Sequence, residues 1–293
     1  MSRAIQDKVT VPAIRARKGS ADRLVALTAY DYPTARALDQ ARVDILLVGD
    51  SLGMVVLGHD TTLPVTLDVM LVHTAAVARA KTRALVIADM PFLTYHTGPG
   101  DAVRNAGRFI QEAGAEAVKV EGGRSRIDAI RALVAADIPV MGHIGLTPQS
   151  VNAIGGYRVQ GRSLTQVEAL LDDARALEEA GVFSIVLEGM PAQVGRLVTR
   201  AVSLPTIGIG AGPDCDGQIL VTHDLIGFGE TAPARFVRRY ADVSAAIVEA
   251  ARQFAGDVKQ GNYPAERETY PCPPDLAEQL AEIDQPEARE RGR

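Results

Sequence analysis

The sequence predicts an α/β protein, a (β/α)8 barrel, on three observations. Eight short apolar runs recur along the chain, with amphipathic, helix-like segments between them. The whole alternation fits within the ~250 residues such a barrel takes. A doubly wound open sheet carries a dominant glycine-rich turn after its first strand, whereas here the first run ends in "TAYDYP".

The runs are "LVALTA" (24–29), "DILLVG" (44–49), "ALVIAD" (84–89), "EAVKVEG" (116–122), "IPVMGHIG" (138–145), "FSIVLEG" (183–189), "PTIGIGAG" (205–212) and "GQILVTHD" (217–224). Each is rich in Val, Ile and Leu and bounded by Gly, Pro or Asp, as strands buried on both faces are. Between them, Leu164, Val167, Leu171, Ala174 and Leu177 repeat at helical spacing, and so do Ile127, Ile130 and Val134. A helix over 66–80 opens with Thr66 as its N-cap. A last long helix is expected over 234–254, with Phe236, Tyr240, Val243 and Ile247 on one face. The barrel is thus expected over 1–255. Residues 256–293 form a Pro-rich, charged extension, its last ~20 residues solvated and mobile, with "DLAEQLAEI" able to form a short helix.

Composition narrows the function. Apolar residues make up 47% of 293, enough for a large core. A net charge of −5 argues against a nucleic-acid surface. Cys215 and Cys272 fit no metal spacing and no disulfide framework. No apolar run approaches the ~18 residues of a membrane span, and "MSRAIQDKVT" has no signal-peptide core. The expectation is a soluble, cytoplasmic protein with no membrane partner.

Polar residues gather where the apolar runs stop. Asp50 and Ser51 follow the second run, and Asp89 ends the third. Lys119 and Glu121 close the fourth, His143 lies near the end of the fifth, and Glu188 is in the end of the sixth. In a barrel these ends share one rim, where active sites sit. Singly, each has an ordinary explanation: a helix cap, a structural ion pair, a core histidine, a loop acid. Recurrence at five successive run ends sets them apart. Carboxylates without a Cys or His ligand partner make an all-oxygen site, suited to Mg²⁺. Asp50 and Asp89 are the expected ligands, with Glu121 close by. Lys119 and Glu121, two apart, share one face of a strand, and Val118 and Val120 share the other. Glu188, apart from the metal group in strand order, suits a general base. "GIGAG" (208–212) could form an anion-binding nest or simply a tight turn. His73 is expected on a helix surface, and His59 and Asp60 over the site.

The strings "LLVGDSLGMVVLGHDTTLPVTLD", "VKVEGG", "GHIGLTPQS", "GGYRVQGR" and "IGIGAGPDCDGQILVTHDLIG" resemble the ketopantoate hydroxymethyltransferase family from about residue 8 to 265. The resemblance implies a barrel of the phosphoenolpyruvate/pyruvate superfamily, a homodecamer and one Mg²⁺ per subunit. It implies transfer of a hydroxymethyl group from 5,10-methylenetetrahydrofolate to 3-methyl-2-oxobutanoate, through an enolate stabilised by the metal. The product is 2-dehydropantoate, in the first step of pantothenate and coenzyme A synthesis. It further implies that Asp50, Asp89 and Glu121 serve the metal, that Asp50, Ser51, Asp89, Lys119 and His143 bind the oxo acid, and that Glu188 accepts the proton. The stretch after Glu188, "GMPAQV", departs from the common family pattern but leaves Glu188 in place. A Mg²⁺-dependent 2-oxo-acid lyase on the same barrel is the rival; its "KKCGH" string is missing from this chain.

Overall fold

A computed structural model describes residues 8–229 and 234–283. They divide into two compact units, Met1–Ala241 and Asp242–Arg293.

The first unit is a closed barrel of eight parallel strands in sequence order: β1 (Leu24–Thr28), β2 (Ile45–Val48), β3 (Leu85–Asp89), β4 (Ala117–Glu121), β5 (Val140–Gly145), β6 (Ser184–Glu188), β7 (Thr206–Ile209) and β8 (Gly217–Leu220). All eight expected runs are strands. Helices Tyr32–Gln40, Leu67–Ala78, Pro99–Gln111, Ile127–Ala135, Leu164–Glu179 and Ala192–Ala201 follow strands β1 to β6, though not always directly. Thr66 caps its helix as expected, its hydroxyl accepting from the Val69 amide.

The alternation of side chains sorts two cores. Outward residues such as Leu46, Val86, Val118, Val120 and Ile185 pack with the helices, while Ile45, Leu85, Ile87, Ala117, Met141 and Val186 fill the interior. Because both faces are buried, the strands read as continuous apolar runs. Val9 and Ile14, from the N-terminal segment, join the interior cluster. Climbing the inner face, the apolar residues give way to charge: Leu85, Ile87, Asp89 on β3, and Ala117, Lys119, Glu121 on β4.

At the opposite rim an acid stands immediately before every second strand but one. Asp44 precedes β2 and accepts from the Val25 amide of β1. Glu116 precedes β4 and accepts from the Val86 amide of β3. Asp216 precedes β8 and accepts from the Thr206 amide of β7. Each also meets a base: Arg83, Lys8 and Lys18 respectively. The acids thus satisfy strand amides that have no ladder partner.

Two expectations need correction. The last long helix is Val243–Gln260, not 234–254. Asp242 caps it by accepting from the Ala245 amide, and the chain ahead of it is tied back by the Tyr240 amide to the Leu225 carbonyl. His73 is half-buried rather than on the surface; its Nδ1 lies 2.6 Å from the Tyr30 carbonyl oxygen and braces the loop after β1.

The second unit holds the helix Val243–Gln260 and a short helix, Pro274–Ile283, where "DLAEQLAEI" was expected to form one. No residue of the longer helix is buried. The expected mobile end falls partly on 284–293, outside the described residues. Among the described residues no helix is long and apolar enough to cross a membrane.

Candidate active site

The strand register brings the charged residues together. In the parallel pairing Asp89 stands beside Lys119, Glu121 beside His143, and Gly145 beside Glu188. Asp89, Lys119, Glu121, His143 and Glu188 line a cavity of about 190 Å³ at the C-terminal ends of the strands, together with Asp50 and Ser51. Gly145 makes the approach of β5 and β6 possible. A Cβ there would lie 2.2 Å from the Glu188 carbonyl oxygen, which instead accepts from the Leu146 amide at 2.9 Å.

Lys119 is the hub. Its Nζ lies 2.7 Å from Asp89 Oδ1 and 3.5 Å from Glu121 Oε1, with side chains at most 5% exposed. Burial alone would lower its pKa, but the charges of Asp89, Glu121 and Asp50 outweigh that and hold it firmly protonated. Asp50 is pushed well above the usual carboxylate range by burial and by the charges of Asp89 and Glu121, against the pull of Lys119 and Gln149. Asp89 is also raised, by burial and by Glu121, with Lys119 opposing. Glu121 goes the other way: burial would raise it, yet Lys119, His143 and the Gln149 amide bring it down.

His143 links the two groups of acids. Its Nδ1 lies 3.5 Å from Glu121 and its Nε2 3.2 Å from Glu188. Burial and Lys119 would lower its pKa, but the closeness of the Glu121 and Glu188 carboxylates lifts it to about 9. The Lys119 ammonium also lies 3.4 Å from His143 Nδ1. The Ser51 hydroxyl is fixed by the Tyr30 hydroxyl at 2.9 Å.

Gln149 was not foreseen, and it ties the site together. Its Nε2 donates to Asp50 Oδ2 at 2.9 Å and to the Met90 carbonyl at 3.0 Å. Its backbone amide donates to Glu121 Oε2 at 3.0 Å, and its Oε1 accepts from the Tyr95 hydroxyl at 2.6 Å. Gln149 lies in the loop after β5, so its return to β2 and β4 exists only in three dimensions. The one signal in the sequence is a polar residue beside Pro148, just past a strand end. "GIGAG" is filled by its neighbours: a Cβ at Gly210 would lie 2.7 Å from the Phe236 ring, and one at Gly212 2.4 Å from the Ala192 Cβ. These glycines permit close packing.

The donor set suits a hard divalent cation. Asp50, Asp89, Glu121 and Glu188 gather around a single lysine, Lys119, with His143 between Glu121 and Glu188. A divalent ion would offset this excess of carboxylates. Asp89 Oδ1, buried, has no aligned hydrogen bond despite its closeness to Lys119. Among the described residues no three acids or histidines form a ready-made cage, so Asp50 and Asp89 are the pair fitted to an ion that keeps waters. Glu121 has its oxygens turned to Lys119, His143 and Gln149.

Comparison with known proteins decides the family. The family profile described as ketopantoate hydroxymethyltransferase matches residues 8–266. The chain belongs to the ketopantoate hydroxymethyltransferase family. A relative of that family from Trichlorobacter lovleyi, named 3-methyl-2-oxobutanoate hydroxymethyltransferase, is 53% identical over 266 residues, covering 91% of this chain and 100% of its own. A relative of the same name from Moorella thermoacetica is 52% identical over 267 residues, covering 91% of this chain and 99% of its own. Ketopantoate hydroxymethyltransferases are enzymes, and this chain carries their barrel. Solved structures agree on the fold. Phosphonopyruvate hydrolase superposes with a TM-score of 0.58 at 16% identity, covering 94% of this chain and 96% of its own. A 2,3-dimethylmalate lyase, titled a PEP mutase/isocitrate lyase superfamily member, gives 0.56 at 19%, covering 97% and 96%.

Proposed function

We propose that this protein transfers a hydroxymethyl group from 5,10-methylenetetrahydrofolate to 3-methyl-2-oxobutanoate, giving 2-dehydropantoate. The observation that carries this reading is the pairing of Asp50 and Asp89, crowded acids fitted to a dication, with Glu188 on the same cavity. The names borne by relatives at about half identity support the substrate. A distant barrel neighbour, phosphonopyruvate hydrolase, has been solved with oxalate and Mg²⁺, which accords with a metal site for small oxo acids.

Asp50 and Asp89 hold Mg²⁺. When bound, the ion supplies Lewis-acid polarisation of the oxo acid's keto group. Ser51, fixed by Tyr30, offers its hydroxyl and amide to the substrate carboxylate. Lys119 offsets the substrate's negative charge. Glu188 takes the C3 proton, and His143 at 3.2 Å orients that carboxylate. C3 then bonds to the donor's one-carbon unit as both C–N bonds of that unit break; one water supplies the hydroxyl, and tetrahydrofolate leaves with the C3 proton and one water proton on N5 and N10. The assembly is a homodecamer in the cytoplasm. Supporting self-association, the helix Val243–Gln260 exposes Ile247, Phe254 and Val258 along one stripe.

Proton NMR of 3-methyl-2-oxobutanoate in deuterated water tests the chemistry. C3 proton loss that depends on Mg²⁺ is expected, and the donor should then yield 2-dehydropantoate. Glu188→Gln should slow exchange about 10²–10⁴-fold while still binding the oxo acid. Unimpaired exchange in that variant would remove Glu188 from the role.

A further inference from the structure

The substrate cavity opens into a second lobe. A groove of about 580 Å³ adjoins it, and Ser51, Met54, Tyr157, Val221 and Asp224 belong to both. The cavity of about 190 Å³ suits a five-carbon oxo acid and is far too small for a folate. The donor must nevertheless bring its one-carbon unit to C3 of that acid. Its docking place therefore has to be continuous with the cavity.

The groove has the chemistry of a flat heterocycle site. His223 and Phe228 stack with ring centroids 5.2 Å apart and planes at 18°. Both Phe228 and Tyr157 leave over 40% of their surface exposed in this concave place. Aromatic faces of this kind stack on planar rings. Asp224 is partly buried at the junction of groove and cavity. Burial raises its pKa, while His223 and Arg239 draw it back. Arg239 also lines the groove. The other polar hollow at this rim, lined by His96, Arg126, Gln160 and Asp173 among others, has only Glu121 in common with the cavity.

We propose that this groove docks the pterin ring of the one-carbon donor, stacked on Tyr157 and Phe228, with Asp224 accepting from the ring's donor edge. A 2-amino-4-oxo ring presents two adjacent N–H groups, which match the two oxygens of one carboxylate. The inference rests on the folate-dependent reading above.

Calorimetric titration of tetrahydrofolate into the full-length, Mg²⁺-loaded protein tests it, using wild type, Phe228→Ala and Asp224→Asn. Each variant is expected to bind tetrahydrofolate about tenfold more weakly. The asparagine places a donor against a donor, whereas the alanine removes a stacking face. Unchanged affinity in both variants overturns the groove. C3 exchange in the wild type, without donor, is measured alongside. If it fails, the transfer chemistry falls, yet weakened tetrahydrofolate binding in the variants would still establish the groove.

Discussion

Where the barrel strands begin, Asp44, Glu116 and Asp216 each accept from a backbone amide and each face a base. Where the strands end, Asp50, Asp89 and Glu121 are buried more deeply than Glu116, whose side chain is 36% exposed, and they crowd around one lysine. Asp216 accepts from the amides of Thr206 and Gly19 and pairs with Lys18, contacts that outweigh burial and lower its pKa. Asp50 and Asp89 are raised instead. The same residue type therefore does opposite work at the two rims. One rim is satisfied and holds the fold; the other keeps an unmet demand for positive charge, which the proposed Mg²⁺ would meet.

Removing the shared cation should break the comparison most severely. Lys119→Met removes the one lysine around which three buried acids crowd, and about 3–5 kcal/mol of stability should go. Urea unfolding of the metal-free protein measures this; a loss under about 1 kcal/mol would show that the acids are already largely neutral. Next, Asp216→Asn should cost about 2–3 kcal/mol by the same measurement, through lost bonds to Lys18 and two amides. Gln149→Leu should cost about 2 kcal/mol and weaken Mg²⁺ binding in a calorimetric titration, because Asp50 and Tyr95 lose their partner. A variant with unaltered Mg²⁺ affinity would make Gln149 merely structural.

Asp50→Asn should have the smallest effect on stability and the opposite sign. It relieves repulsion, so the metal-free protein should gain up to about 1 kcal/mol while losing C3 exchange. The pH profiles sharpen the contrast. Asp50, raised in the folded state, contributes fully below about pH 3.9 and loses that contribution as pH rises through its folded value. Asp216, depressed, contributes above about pH 3.9 and loses it as pH falls through its lower folded value. Asp50→Asn should therefore flatten the metal-free profile between acid and neutral pH, and Asp216→Asn should remove part of the acid drop. Identical profiles for the two variants would erase the distinction between the rims.

The barrel was legible because parallel strands covered on both faces leave unbroken Val, Ile and Leu runs. The charged rim was legible because those runs end in acids, and the register did the rest. The satisfied rim was overlooked although Asp44 and Glu116 open their runs in plain view; an acid before a strand resembles ordinary punctuation until its amide partner is known. The helix over 234–254 was misplaced because Phe236 and Tyr240 continue the periodicity of Val243 and Ile247. Phe236 is instead held at the cavity mouth by its fit against Gly210. Gln149 was invisible for the reason that makes it effective: it reaches across strands distant in the chain.

Gly145 carries a genetic consequence. It touches no substrate in the proposed reaction and has no side chain to donate, accept or titrate. Yet any side chain there collides with the main chain of Glu188, the proposed base. Alleles altered at this codon would therefore behave as nulls, and a mutational scan blind to structure would score Gly145 alongside Glu188 itself.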